Sequence, residues 1–205
     1  MLGGLYIQSK MIELITRDYA HLLLEDALKL NPGKWGKHSY NVAMAAEQIA
    51  KKMGDLDSDK AYIFGLLHDI GRRYGVSHIK HVYDGMLYME DLGYRDVARI
   101  CLTHSFPVKN IYSYSGAFDL STDKLVFLES KLASIEYDDY DRLIQLCDAI
   151  ASADGFCILE VRLIDVAIRN GINEYSIEKW KRFIDLKNYF DEKCNLNIYN
   201  LLGII

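Results

Sequence analysis

The sequence predicts an all-α fold, a bundle of about eight to ten helices. Apolar residues recur at spacings of three and four over most of the 205 residues, whereas alternation of period two is nearly absent. Asn31-Pro32-Gly33 is a firm break between two such segments. Gly54, Gly71, Gly93 and Gly171 follow periodic segments, as glycines at helix C-termini do. Together these observations predict few strands or none.

The predicted helices of the first half are bounded by these glycines. A helix over 9–30 ends at the Asn31 break, and one over 36–53 ends before Gly54. The next three predicted helices cover residues 58–70, 78–92 and 94–105. Ser58 is a plausible N-cap for the first of these, because its hydroxyl can accept from an unpaired backbone N–H.

The second half opens with a stretch without periodicity, residues 106–121. It carries Tyr112, Tyr114 and Phe118, so it is either a plain surface loop or a segment that covers a site or stacks a base. The helices predicted after it cover residues 122–134, 139–152, 156–170 and 176–193. The acidic cluster 136–141 is interpreted as a solvated turn with Asp139 as N-cap.

Composition is that of a soluble globular protein, with 50% hydrophobic and 26% charged residues. Only two prolines occur, which argues against disorder. The formal net charge of -5 gives no electrostatic basis for binding DNA or RNA, so no nucleic-acid partner is expected. A small anionic substrate would need a local cationic site.

The cysteines and the hydropathy pattern bear on location. Cys101, Cys147, Cys157 and Cys194 show no C-x-x-C spacing and are interpreted as free thiols in a reducing compartment. The N-terminus lacks the pattern of a secretory signal. No apolar run approaches the roughly 20 residues of a membrane span. We therefore expect a cytoplasmic protein without a membrane partner.

The pair His68-Asp69 ends the apolar run that begins at Ala61. Burying such groups without partners costs several kcal/mol, and a divalent metal ion would satisfy both side chains. Asp148 raises the same question, since it lies in a predicted helix that is apolar nearly all round. No Arg or Lys stands three or four positions from Asp148, so its partner must come from elsewhere in the fold.

Three further histidines face inward by their helical spacing. His104 shares a stripe with Val97 and Cys101, and His38 begins a stripe that continues through Val42. His81 shares a face with other helix positions that point inward. A single inward histidine is more often a hydrogen-bonded core residue than a ligand. As a set, however, these imidazoles and carboxylates suit Fe, Mn, Zn or Ni rather than a thiolate-bound metal.

The order His38, His68-Asp69, Asp148 resembles the signature of the HD superfamily of metal-dependent phosphohydrolases. The segment 66–72, which reads LLHDIGR, is similar to the central motif of that family, and His38 precedes the pair by 30 positions. The segment 146–150 is similar to the closing motif. The resemblance covers residues 34–171, so we expect a single HD-type core there, with helical extensions over 1–33 and 172–205.

A subset of the family carries two added histidines and binds two metals, and His81 and His104 resemble these. By that resemblance His38, His68, Asp69 and Asp148 would hold one ion, and Asp69 would bridge to a second ion held by His81 and His104. The pattern is similar to that of bacterial HD hydrolases that cleave diadenosine tetraphosphate symmetrically. The stretch 104–107, which reads HSFP, departs from the usual His-Thr-Thr-Gly and leaves the substrate open.

The resemblance implies hydrolysis of a phosphate ester or anhydride by metal-activated water, with one or two divalent ions of Fe, Mn, Ni, Co or Zn. Asp69 and Arg72 are the expected catalytic residues, Arg72 for phosphate charge. Weaker cationic candidates are Arg73, Lys80, Lys37 and Lys109. We expect a small phosphorylated substrate of nucleotide type and keep a homodimer open. The alternatives are a regulatory or nucleotide-binding module with little turnover and an HD-type di-iron oxygenase.

Overall fold

The computed structural model describes residues 15–205, and these residues form an all-α bundle, which confirms the predicted fold class. The α-helices are α1 (Arg17–Leu30), α2 (Trp35–Met53), α3 (Ser58–Leu67), α4 (Lys80–Asp91), α5 (Arg95–Thr103), α6 (Thr122–Ala133), α7 (Asp139–Ile150), α8 (Leu159–Asn170), α9 (Ser176–Cys194) and α10 (Ile198–Leu201). Two short 3-10 helices cover Ile70–Tyr74 and Ile111–Ser113. A small antiparallel hairpin joins β1 (Ala151–Ser152) to β2 (Gly155–Phe156).

Several helix boundaries differ from the prediction. Residues 9–14 of the first predicted helix lie outside the described residues, and α1 begins after Thr16, whose hydroxyl accepts from the Tyr19 backbone N–H. The predicted helix over 139–152 ends at Ile150, because the chain turns there into the hairpin. Its N-cap is Asp138 rather than Asp139, in a reciprocal capping box with Asp141.

The predicted helix over 58–70 also ends early, at Leu67. His68 is its C-cap, and Asp69 has φ -102° and ψ 14°, which leaves the α-helical region and starts the 3-10 helix. The pair His68-Asp69 therefore lies at a helix end and not inside a helix. In a continuing helix these neighbours would point about 100° apart, so the break allows both side chains to face one centre.

Close backbone contacts hold the helices around that pair. An added Cβ at Gly65 of α3 would lie 2.6 Å from Ala43 Cα of α2. An added Cβ at Gly71 would lie 2.0 Å from the His81 carbonyl oxygen and 2.5 Å from the Gly85 backbone nitrogen. Any larger residue at Gly71 would therefore separate the 3-10 helix from α4.

One hydrophobic core runs through the described residues. It includes Leu24 of α1, Ile49 of α2 and Leu66 of α3, and it extends to Phe190 of α9. The four cysteines are free thiols, three of them buried. Within residues 15–205, no helix combines the length and apolarity needed to cross a membrane.

Candidate metal centre

Helix ends bring the six predicted ligands together. The contributors are His38 in the first turn of α2, His68 and Asp69 at the end of α3, His81 in the first turn of α4, His104 at the C-cap of α5, and Asp148 in the last turn of α7. Apart from the adjacent pair His68-Asp69, these residues are distant in sequence, so their convergence depends on how the helices pack. The contacts divide the cluster into an outer half and an inner half.

The outer half consists of His38, His68 and Asp148. His38 Nε2 lies 2.8 Å from Asp148 Oδ1, and His68 Nε2 lies 3.7 Å from the same oxygen. Their ligand atoms are close enough to hold one metal ion. The Asp148 side chain is 27% exposed and that of His38 is 13% exposed. The sequence predicted that Asp148 is buried, and this prediction was wrong. The outer half of the cluster is open to solvent.

The inner half is formed around Asp69. Asp69 Oδ1 lies 3.0 Å from His81 Nε2 and 3.7 Å from His104 Nε2, while the two histidine Nε2 atoms lie 3.4 Å apart. His68, Asp69 and His104 form a second group able to hold a metal ion. His68 therefore belongs to both groups, and His81 contacts the second through Asp69 and His104.

The three buried imidazoles are oriented by backbone carbonyls. His68 Nδ1 donates to Gly65 O at 2.7 Å, His81 Nδ1 to His78 O at 2.5 Å, and His104 Nδ1 to Cys101 O at 2.9 Å. A carbonyl oxygen can only accept, so each Nδ1 must carry the proton. In the neutral form of each ring, Nε2 then presents its lone pair to the centre. Histidine ligands of metals are held in this way.

Two atoms at the middle of the cluster lack hydrogen-bond partners among the described residues. They are His68 Nε2 and Asp69 Oδ1, both fully buried. Leaving such groups unsatisfied costs about 1–3 kcal/mol each, and more for a charged oxygen. A cation between them would satisfy both, since each offers a lone pair. The donor set therefore fits a divalent metal ion.

The electrostatics of the cluster agree with this arrangement. Burial would raise the pKa of Asp69, but Arg72, His81 and His68 together hold that pKa well below its usual range. Burial acts in the same way on Asp148, and His38 and His68 lower its pKa well below the usual value. Burial, together with the neighbouring His68, lowers the pKa of His104 to about 3, so this ring is neutral at pH 7.

Arg72 is beside the cluster, as predicted, but it binds the carboxylate of Asp69. Its Nε donates to Asp69 Oδ2 at 2.5 Å, and Nη1 donates to Ser77 O at 3.4 Å. The Arg72 side chain is 28% exposed. Arg72 therefore neutralises Asp69, and part of its side chain stays accessible to solvent.

The weaker cationic candidates are engaged elsewhere or exposed. The Arg73 guanidinium lies 3.9 Å from the centre of the Tyr88 ring. Lys80 pairs with Asp84 at 2.6 Å, and Lys109 lies 3.5 Å from Glu136. Lys37 is exposed on α2. These contacts give none of the four a place in the cluster.

The loop over 106–121 packs against the cluster. Tyr114 is 9% exposed, and its ring centre lies 6.3 Å from that of His81. Burial raises the pKa of the Tyr114 hydroxyl, and the nearby Arg72 opposes that rise. The sequence left open whether this segment is a plain surface loop or covers a site. In the structure one of its tyrosines, Tyr114, lies beside the inner half.

Lys179 on α9 was missed from the sequence. It is 8% exposed, and its ammonium donates to Ser113 O at 3.1 Å and to Ser115 Oγ at 3.3 Å, on either side of Tyr114. Burial lowers the pKa of Lys179 to about 8, against the attraction of Asp148. Phe183 and Leu186 follow it at helical spacing, so Lys179 lies on an apolar stripe of the helix. A cation in such a position could have been recognised from the sequence as a buried charge.

A comparison with family profiles matches residues 35–153 to the HD domain. The match covers more than half of the chain and includes all six residues of the cluster. Searches of curated proteins and of solved structures found no match.

Proposed function

Because this chain belongs to the HD-domain family, whose members are mostly metal-dependent phosphohydrolases, we propose that it hydrolyses a phosphate ester or anhydride of a nucleotide-like small molecule. The observation that carries the proposal is the pair of unsatisfied buried atoms, His68 Nε2 and Asp69 Oδ1, inside a ring of pre-oriented ligands. With the rings neutral and no cation bound, these two lone pairs would face only other lone pairs, such as that of His81 Nε2 at 3.0 Å from Asp69 Oδ1.

The proposed ligand assignment uses both oxygens of Asp69. Oδ1 faces His81 and His104, whereas Oδ2 lies 3.8 Å from His68 Nε2. One ion would be held by His38, His68, Asp69 and Asp148. A second ion would be held by Asp69, His81 and His104, so that Asp69 bridges the two. The nitrogen and oxygen donors suit Fe, Mn, Co, Ni or Zn.

The bound metal would supply an acidified water, with its pKa lowered from about 16 towards 7, and would stabilise charge on the phosphoryl oxygens. The residues of the chain would position the Asp69 carboxylate and the substrate. Arg72 orients Asp69, and its partly exposed side chain would meet phosphate charge. The partly exposed side at His38 and Asp148 is where a substrate would enter, because the inner half is closed by buried side chains.

The first experiment tests for hydrolysis. Purified protein loaded with Mn, Fe or Co is assayed against mononucleotides, sugar phosphates, pyrophosphate and diadenosine tetraphosphate, the last because of the motif resemblance. We expect turnover of at least one compound, and we expect Asp69→Ala to lower it by about a hundredfold or more, as loss of a key electrostatic group does.

His21→Ala is the matched control, because His21 lies between Tyr40 and Tyr62, away from the cluster. It should keep the metal content and the activity of the wild type. Full activity in folded Asp69→Ala, or no turnover of any compound by metal-loaded wild type, would contradict the proposal. Tight nucleotide binding without turnover would favour a regulatory module, and oxygen consumption would favour an oxygenase.

A further inference from the structure

Lys179 is a buried cation without a carboxylate partner. Its ammonium has two hydrogen bonds, both to neutral oxygens of the loop over 106–121. No carboxylate within residues 15–205 forms an ion pair with it, although the field of Asp148 reaches it. An ammonium has three donors, so one N–H remains for a further acceptor.

This arrangement is costly unless something else binds there. Taking a charge out of water costs several kcal/mol, and neutral hydrogen bonds alone do not offset it. If the loop needed only an anchor, a neutral donor would hold Ser113 O and Ser115 Oγ at lower cost. The retained charge therefore points to an anionic ligand that is bound only during function.

The position of Lys179 relates it to the metal centre. The two residues that it binds flank Tyr114, whose ring lies against His81. Burial lowers the pKa of Lys179, and Asp148, at the open outer half of the cluster, raises it. Lys179 itself lies outside residues 35–153, so α9 adds this group to the HD domain from beyond the matched segment.

We propose that Lys179, together with the Ser115 hydroxyl, forms an anion subsite that binds a phosphate oxygen of the substrate next to the metal centre. The identity of the anion as phosphate rests on the proposed function. The buried ammonium bonds the phosphate oxygen through its free N–H, and the ion pair so formed supplies the missing counter-charge. Charge-assisted bonds of this kind are about twice as strong as neutral ones.

The test measures the binding of inorganic phosphate by calorimetry. The full chain is used after chelator treatment, so that phosphate cannot bind through a metal, and again after loading with Mn. Lys179→Met is expected to raise the Kd for phosphate about tenfold or more in both forms, which corresponds to about 1.4 kcal/mol. Lys181→Met, an exposed lysine on the same helix, is the matched control and should bind as the wild type does.

A second readout separates ligand binding from a structural role. Lys179→Met should melt at the same temperature as the wild type or higher, because it removes a buried charge. With a hydrolysed substrate in hand, KM should rise more than kcat falls. An unchanged phosphate Kd in folded Lys179→Met would overturn the proposal. Should that variant fail to fold, Lys179→Gln decides, because its neutral amide can still donate to Ser113 O and Ser115 Oγ: a Kd raised about tenfold or more supports the subsite, and an unchanged Kd in the folded variant refutes it.

The outcomes also separate this inference from the proposed function. If phosphate binding depends on Lys179 but no substrate is hydrolysed, the subsite stands and the hydrolase proposal fails. If hydrolysis depends on Asp69 while Lys179→Met changes neither phosphate affinity nor KM, the hydrolase stands and the subsite fails.

Discussion

The chemistry of the centre depends on which nitrogen each imidazole presents. In His68, His81 and His104 a backbone carbonyl three residues earlier, in Gly65, His78 and Cys101 respectively, fixes the proton on Nδ1. Each ring is thereby held as a ligand before any metal arrives, which reduces the ordering cost of binding. The inward direction of the rings could be predicted from helical spacing, but the carbonyl partners could not.

The hydrogen bonds of Arg72 lead to a prediction at the scale of single residues. Its two bonds, from Nε to Asp69 and from Nη1 to Ser77 O, need two separate nitrogens. A lysine keeps the charge but offers one nitrogen, so Arg72→Lys should lower kcat/KM about tenfold, or about 1.4 kcal/mol, with metal content unchanged. Metal analysis and steady-state kinetics check this.

The matched control is Arg73→Lys, one position on. Arg73 packs over Tyr88 and makes no contact with Asp69, so this change should leave kcat/KM within about twofold of wild type. Equal activity in Arg72→Lys and wild type would show that the two bonds of Arg72 are dispensable.

At the scale of elements, the site is built at helix ends. The helix α3 stops at Leu67, and the change of backbone conformation at Asp69 turns the adjacent side chains to one centre. The sequence predicted a helix through residue 70, because the apolar spacing continues across the break. Helical periodicity does not register a transition to a 3-10 turn, since the two forms differ little over one turn.

Gly71 packs directly against the backbone of α4, and this close approach leads to a prediction. In Gly71→Ala the new Cβ would meet the backbone of His81 and Gly85, which cannot move as a side-chain end can. Overpacking of this kind costs about 1–3 kcal/mol or somewhat more. We expect a loss of that size in urea unfolding, together with weaker metal binding because His81 is displaced.

Gly36→Ala is the matched control, because its new Cβ would meet only the side-chain end of Leu28. It should cost less than Gly71→Ala and leave metal binding unchanged. Equal stability and equal metal content for Gly71→Ala and wild type would show that the two segments can separate without harm.

At the scale of the whole molecule, the bound metal should stabilise the packing of the helices. Its ligands come from five helices that are distant in sequence. At a metal concentration of about 100 Kd, binding to the native state adds about 2.7 kcal/mol. For a chain of this size that corresponds to a rise in melting temperature of roughly 5–11 °C.

The prediction is checked by thermal melts before and after chelator treatment, with metal restored in a third sample. Asp69→Ala should show a smaller shift than the wild type, because it has lost the residue shared by the two proposed sites and keeps only the outer half of the cluster. A wild type that shows no chelator-dependent shift would contradict the role of the metal in holding the helices.

The sequence by itself determined the all-α class and predicted the six residues that the structure brings together, because helical periodicity and polar residues within apolar runs are local properties that spacing records. The division into 1–33, 34–171 and 172–205 and the homodimer stay predictions. Only the tertiary structure decided that Asp148 is partly exposed, that Arg72 binds Asp69 and that Lys179 lies beside the site. These are contacts between helices far apart in the chain, and their distances and exposure depend on how the helices pack, which no local pattern specifies.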